Sequence, residues 1–186
     1  MRGVFDVVDL TSPDMKPLYD RLEAIGQTTI LSYENMPNVV ERMGNDILVR
    51  AGSHRAYVVR IWGHGLPGVL PIAAGTIPER VTRDNAGLAS RRDLATGTYL
   101  NNVVPTRLKS LAEALSPTAR LELHGCSIAA GFVGDQFCKE LAKQLACWVY
   151  ASTTYQQDLE WVPPVLAFVP GGKSVIHDAK PPPLTW

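Results

Sequence analysis

A chain of 186 residues, 46% of them hydrophobic, is long enough to bury one sizeable core and short for two, so a single domain is expected. Eighteen basic residues balance eighteen acidic ones, which argues against the global positive field of a nucleic-acid binder. The three cysteines, Cys126, Cys138 and Cys147, are an odd number without CxxC spacing, which argues against a disulfide framework or a cysteine zinc cluster and fits a reducing compartment.

The chain opens on an apolar run, Val4 to Leu10, which predicts a strand. Thr11-Ser12-Pro13-Asp14 then offers capping chemistry and a proline for a helix over about 14–25. A second strand is expected over 28–33 and a second helix over about 36–49, where Val39, Val40, Met43, Ile47 and Leu48 recur at helical spacing. A third strand follows in Tyr57-Val58-Val59-Arg60-Ile61-Trp62 and closes on Gly63-His64-Gly65. Strands separated by helices predict right-handed crossovers and a mostly parallel α/β sheet covered on both faces.

Past His64 the pattern changes. Residues 66–75 carry two prolines and predict a turn or short hairpin, and 76–97 show no period and predict a long loop. Arg80, Arg83, Arg91, Arg92, Arg107 and Lys109 make the middle third locally basic, but Glu79, Asp84 and Asp93 dilute it and indicate an ordinary solvated face. Helical spacing returns over 101–115, and Ala119 to Leu123 predicts a strand that closes on His124-Gly125-Cys126. A helix over 133–147, a strand over 148–152 and an edge strand over 165–169 complete the domain, assigned to residues 1–172. Residues 173–186 are expected as a proline-rich extended tail.

Two apolar strands thus end on a reactive side chain beside glycine. Ligands of open α/β sheets bind outside the carboxyl ends of the strands, so His64 and Cys126 make a candidate base and nucleophile there. A turn leading into a helix favours thiolate at Cys126, although a free cysteine is equally at home in a core, as expected of Cys138 and Cys147. The flanking Gly63 and Gly65 let a substrate backbone approach His64, and the amides of Gly65 and Cys126 are candidate oxyanion donors. His124 shares the pleat face of Cys126 and either lines a substrate pocket or packs structurally. Gly63-His64-Gly65-Leu66-Pro67-Gly68 matches GxGxxG, but the extended, proline-broken segment behind it does not open a helix, so no dinucleotide site is expected. His124-Gly125-Cys126-Ser127-Ile128 lacks the glycines of a GxSxG elbow. No HExxH, CxxC or HxH supports a metal site or any other cofactor.

These residues resemble the caspase-like (clan CD) cysteine peptidases, in which a hydrophobic strand ends in His-Gly and a later one ends in a small residue before the nucleophilic Cys. Ile61-Trp62-Gly63-His64-Gly65 and Leu121-Glu122-Leu123-His124-Gly125-Cys126-Ser127 stand in that order, the reverse of papain-like enzymes. A closer likeness, over about four fifths of the chain, is to a caspase-like domain of unknown function near the start of large bacterial surface and repeat proteins. It runs from Val4-Phe5-Asp6-Val7-Val8-Asp9 to Val149-Tyr150-Ala151-Ser152-Thr153. Residues 77–99 have no placed counterpart, and Ser127 stands where that domain often has Asp, so substrate preference does not carry over.

The resemblance implies a three-layer α/β/α sandwich with a caspase-like sheet. It also implies a cysteine endopeptidase, self-processing or acting on another protein or peptide, in which Cys126 attacks and His64 protonates the leaving amine. No third catalytic residue is implied. The substrate pocket is expected near His124, Ser152, Thr153 and Thr154. The alternatives are a non-catalytic caspase-like module that binds a protein partner through the same cleft, and a thiol amidase or deamidase acting on a protein. The absence of an apolar leader or of about eighteen consecutive apolar residues leads to the expectation of a cytoplasmic protein, with neither membrane nor nucleic acid as partner. Signal-independent secretion and a longer parent polypeptide stay open, as does oligomeric state.

Overall fold

Continuous burial along Val4–Asp9 marks this first strand, β1, as an interior strand of a parallel sheet, where both faces are covered and apolar residues run without alternation. The computed structural model describes residues 3–36, 39–70, 72, 88–89, 104–156 and 159–182, with the backbone alone for 88–89 and 104–107. After β1 come a 3-10 turn at Pro13–Met15, α1 (Lys16–Ile25), β2 (Thr29–Tyr33), α2 (Val39–Ala51) and β3 (Ala56–Trp62). Two short strands follow, β4 (Val69–Leu70) and β5 (Leu88–Ala89), then α3 (Val104–Ala114) and β6 (Leu115–His124). The described chain ends with α4 (Gly131–Leu145), β7 (Trp148–Ser152), β8 (Val165–Phe168) and β9 (Val175–Ile176).

The main sheet has seven strands in the order β2-β1-β3-β6-β7-β8-β9. The first five are parallel, in register at Val7 with Leu31 and Ile61, Ile61 with Leu123, and Leu123 with Ala151. The last two are antiparallel. From β1 the chain steps outward to β2 and then back past β1 to β3, so the order reverses at the carboxyl ends of β1 and β3. Open α/β sheets place ligands at such a reversal.

Alternating side chains along the strands feed two sides. Phe5, Val7, Val59, Ile61, Leu121, Leu123 and Val149 join Met43 and Ile47 of α2, Leu111 of α3, and Phe137 and Leu141 of α4 in the main core. Val8 and Trp62 pack instead with Leu22 of α1, and Tyr150, Val165 and Ala167 pack with Trp148 and Trp161. The α2–α3 contact is close. A Cβ on Gly44 would lie 2.4 Å from the Leu111 amide nitrogen, so only glycine fits that crossing.

Three features differ from the sequence expectations. β8 is not an edge strand, because β9 pairs with it, and the sheet therefore runs past residue 172, where the domain was expected to close. Ala179 extends this by donating its amide to Val165 O at 2.9 Å. The loop expected over 76–97 lies outside the described residues except for β5, which pairs antiparallel with β4. Ser12 sits at the N-cap of the 3-10 turn, yet its hydroxyl makes no capping bond. Among the described residues, no helix is long and apolar enough to cross a membrane.

Candidate active site

Four neighbouring strands, β1, β3, β6 and β7, deliver their carboxyl ends to one edge of the sheet, and the candidate residues follow directly. Ser12 and Asp14 come after β1, His64 after β3, Cys126 after β6, and Thr153 to Gln156 after β7. Pairing of β3 with β6 continues one step past β3 through Gly63 N–H to His124 O at 3.4 Å. A Cβ on Gly65 would meet Cys126 O at 2.6 Å and Cys126 N at 2.8 Å. The main chain at Gly65 thus lies against that of Cys126, and the bare Cα of glycine permits the approach. Backbone packing sets side by side the two segments that carry His64 and Cys126, 62 positions apart in the chain.

The amides of Gly65 and Cys126 share a property relevant to acyl chemistry. Among the described residues, neither donates a hydrogen bond to a carbonyl or side chain. Main-chain donors without an acceptor are the kind of group that an oxyanion recruits.

The Cys126 sulfur has its own partner, Gln156, whose amide nitrogen lies 3.4 Å from Sγ and whose carbonyl oxygen lies 3.8 Å away. An N–H donor facing sulfur stabilises negative charge there. Gln156 is clamped in turn, donating Nε2 to Val162 O at 2.9 Å and accepting Val162 N–H on Oε1 at 3.1 Å. Sequence reasoning missed this residue, because a glutamine in a polar loop carries no signal of a main-chain contact thirty positions away. Ser127, next to the cysteine, has φ of 55° and donates its amide to Thr154 O at 2.7 Å. A left-handed non-glycine residue costs about 1–2 kcal/mol and recurs at functional turns.

His64 is half-exposed, and its Nε2 lies 3.1 Å from Asp14 Oδ2, 3.2 Å from Asp14 Oδ1 and 3.2 Å from Ser12 Oγ. Among the described residues, no hydrogen bond joins its ring to Cys126 Sγ. The Ser12 and Asp14 side chains, expected only as helix-capping groups, face the histidine.

Of the residues expected to line a pocket, two are buried, His124 and Ser152, and two lie on the turn after β7 beside Cys126, Thr153 and Thr154. The His124 side chain is buried, stacked on Trp62 at 3.8 Å between ring centroids and against Trp161 at 4.1 Å. Its Nε2–H faces Glu122 Oε2 at 3.2 Å, and Arg120 Nε donates to Glu122 Oε1 at 2.5 Å. Ser152 is also fully buried, with its hydroxyl among Val162 O, Pro164 O and Thr154 N–H. Thr153 and Thr154 are half-buried, and the Thr154 hydroxyl donates to the Pro163 and Val162 carbonyls. Together these residues pin the 153–156 turn that carries Gln156 to the cysteine. Among large apolar side chains, Leu66, Phe132 and Tyr155 are exposed on segments that adjoin the site. Cys138 and Cys147 are buried, and burial pushes the Cys147 thiol up to about 12, so both are inert packing residues. Among the described residues, no group of three potential ligands could hold a metal ion.

Burial holds the His124 imidazole neutral by lowering its pKa below the usual 6.5, against the opposing pull of Glu122. Arg60 adds to the lowering and Asp6 opposes it. Glu122 is pushed up by burial, but the hydrogen bond from His124 and the charge of Arg120 hold it below 4.5. A folded chain that refuses a proton the unfolded chain accepts loses stability as pH falls. That loss begins near pH 6.5 at His124 and continues below 4.5 at Glu122, with a limiting slope of about 1.4 kcal/mol per pH unit per proton. Thermal unfolding should show a lower Tm at pH 5 than at pH 7, and His124→Gln should shrink that difference. An unchanged difference in the variant assigns the acid sensitivity to other groups.

A family described as a domain of unknown function, DUF4347, matches residues 7–157. The chain belongs to that family. The match spans every residue of the site, from Ser12 to Gln156, and stops before β8 and β9. No curated protein and no solved structure matches the chain.

Proposed function

We propose that this DUF4347 chain is a cysteine endopeptidase of caspase-like, three-layer α/β/α architecture, with Cys126 as nucleophile and His64 as acid and base. The observation that supports it is the contact of Gly65 with the Cys126 main chain, which brings the segments carrying His64 and Cys126 side by side and adjoins two amides without acceptors among the described residues. In the reaction, Sγ bonds to the scissile carbonyl carbon while the thiol proton passes to His64. The oxygen, now negative, is held by the Gly65 and Cys126 amides. Collapse breaks the C–N bond, His64 gives its proton to the departing amine, and water then hydrolyses the thioester and restores the thiol.

Chemistry of this kind needs no cofactor. Exposed Leu66, Phe132 and Tyr155 suit a peptide with apolar side chains. A binding-only module would have no use for two main-chain donors beside a thiol.

An electrophilic peptide probe tests the dyad. Wild type should label, Cys126→Ala should not, and His64→Ala should label at least about a hundredfold more slowly. Equal labelling of all three overturns the dyad. Product mass spectrometry then separates peptide cleavage, which splits the chain, from deamidation.

A further inference from the structure

We infer that Asp14, braced by Ser12, holds the His64 imidazole in its working tautomer and orientation, an assignment that rests on the peptidase reading above. Both carboxylate oxygens of Asp14 lie within 3.2 Å of His64 Nε2. An ionised carboxylate only accepts, so Nε2 carries the ring proton. In the neutral ring this leaves Nδ1 with the lone pair, and among the described residues Nδ1 makes no hydrogen bond. Nδ1 is therefore the nitrogen free to take the thiol proton and to pass it to the departing amine.

Asp14 stays ionised throughout, offsetting the imidazolium charge while the proton is on the ring. Its carboxyl is held below the usual range first by the Ser12 hydroxyl, against the opposing effect of burial, with the hydrogen bond and charge of His64 adding to the lowering. Ser12 Oγ donates to Asp14 Oδ1 at 2.5 Å and so sets the carboxylate as the carboxylate sets the ring. The two side chains can reach His64 because the order of the sheet puts the carboxyl ends of β1 and β3 side by side. Among the described residues, neither Asp14 nor Ser12 makes a hydrogen bond to Cys126, so they are positioning residues.

The Asp14 side chain is 64% exposed, and solvent screens the pair, which puts its effect at the lower end for an orienting carboxylate. Asp14→Ala should lower kcat for peptide hydrolysis about 10- to 100-fold with KM unchanged, and Asp14→Glu should recover most of it. Imidazole 15N NMR provides a readout independent of turnover. Wild type should show His64 protonated at Nε2 alone, and Asp14→Ala a mixture of tautomers.

Wild-type kcat together with a wild-type tautomer in Asp14→Ala overturns the assignment. Should the wild type cleave no peptide and label no faster than Cys126→Ala, the peptidase reading is lost. The tautomer comparison then decides Asp14 by itself, an unchanged tautomer overturning its role and a mixture supporting it.

Discussion

Asp6→Ala is expected to lower the free energy of unfolding by about 3–5 kcal/mol, the cost of removing one partner from a buried charge pair. Asp6 is fully buried in β1 and accepts from Arg60 Nη2 at 2.6 Å, from Trp62 Nε1 at 2.6 Å, and from the Thr28 hydroxyl. Its loss leaves a guanidinium largely enclosed, with an Nε that already lacks a partner, and an indole N–H without an acceptor. Arg60 retains 19% side-chain exposure, so water recovers part of its charge and the lower half of that range is expected. Urea unfolding measures the effect, and Asp6→Asn, which keeps the shape and one acceptor, should lose less. A loss below about 1 kcal/mol for Asp6→Ala would show that Arg60 is solvated without its partner. The pair also bears on function, since Trp62 stacks on His124 and stands two residues before His64.

On the proposed peptidase mechanism, Gly65→Ala is expected to cost about 100- to 1,000-fold in peptide hydrolysis, the penalty for displacing an oxyanion donor. The new Cβ would fall 2.6 Å from Cys126 O and 2.8 Å from Cys126 N, and both are main-chain atoms that cannot rotate aside. Either the 63–65 segment or the 125–127 turn must move, and either movement separates the two amides. Overpacking of this kind also costs about 1–3 kcal/mol of stability. Because destabilisation of the variant would also lower its activity, kcat/KM should be measured below the onset of unfolding. Retention of activity within about threefold there would exclude these amides as the oxyanion site.

Much of this architecture was legible before folding was considered. The buried strands Val4–Asp9, Ala56–Trp62 and Trp148–Ser152 follow from runs of β-branched and aromatic residues too short for helices. The glycines around His64 and before Cys126 marked the ends of two strands, and those ends do meet. Less legible were β9, only two residues long and set in polar sequence, and the role of Thr11-Ser12-Pro13-Asp14. Its hydroxyl and carboxylate satisfy the pattern of a helix cap, and nothing local reveals that a histidine fifty positions later competes for them. His124 illustrates the same limit. Pleat parity placed it on the face of Cys126, but whether it met substrate or core depended on Trp161, which arrives from a separate loop.

What the amino-acid sequence determined by itself is periodic or local: strand and helix identity, the order of His64 before Cys126, and the glycines that allow close approach. Each follows from the sterics of a few adjacent residues. Tertiary structure alone decided the partners of the reactive groups: Asp14 for His64, Gln156 for the Cys126 sulfur, and the tryptophans and Glu122 for His124. Those contacts depend on which strand lies beside which, and the order β2-β1-β3-β6-β7 comes from burying apolar side chains on both faces of the sheet, a free energy to which no single segment holds the key.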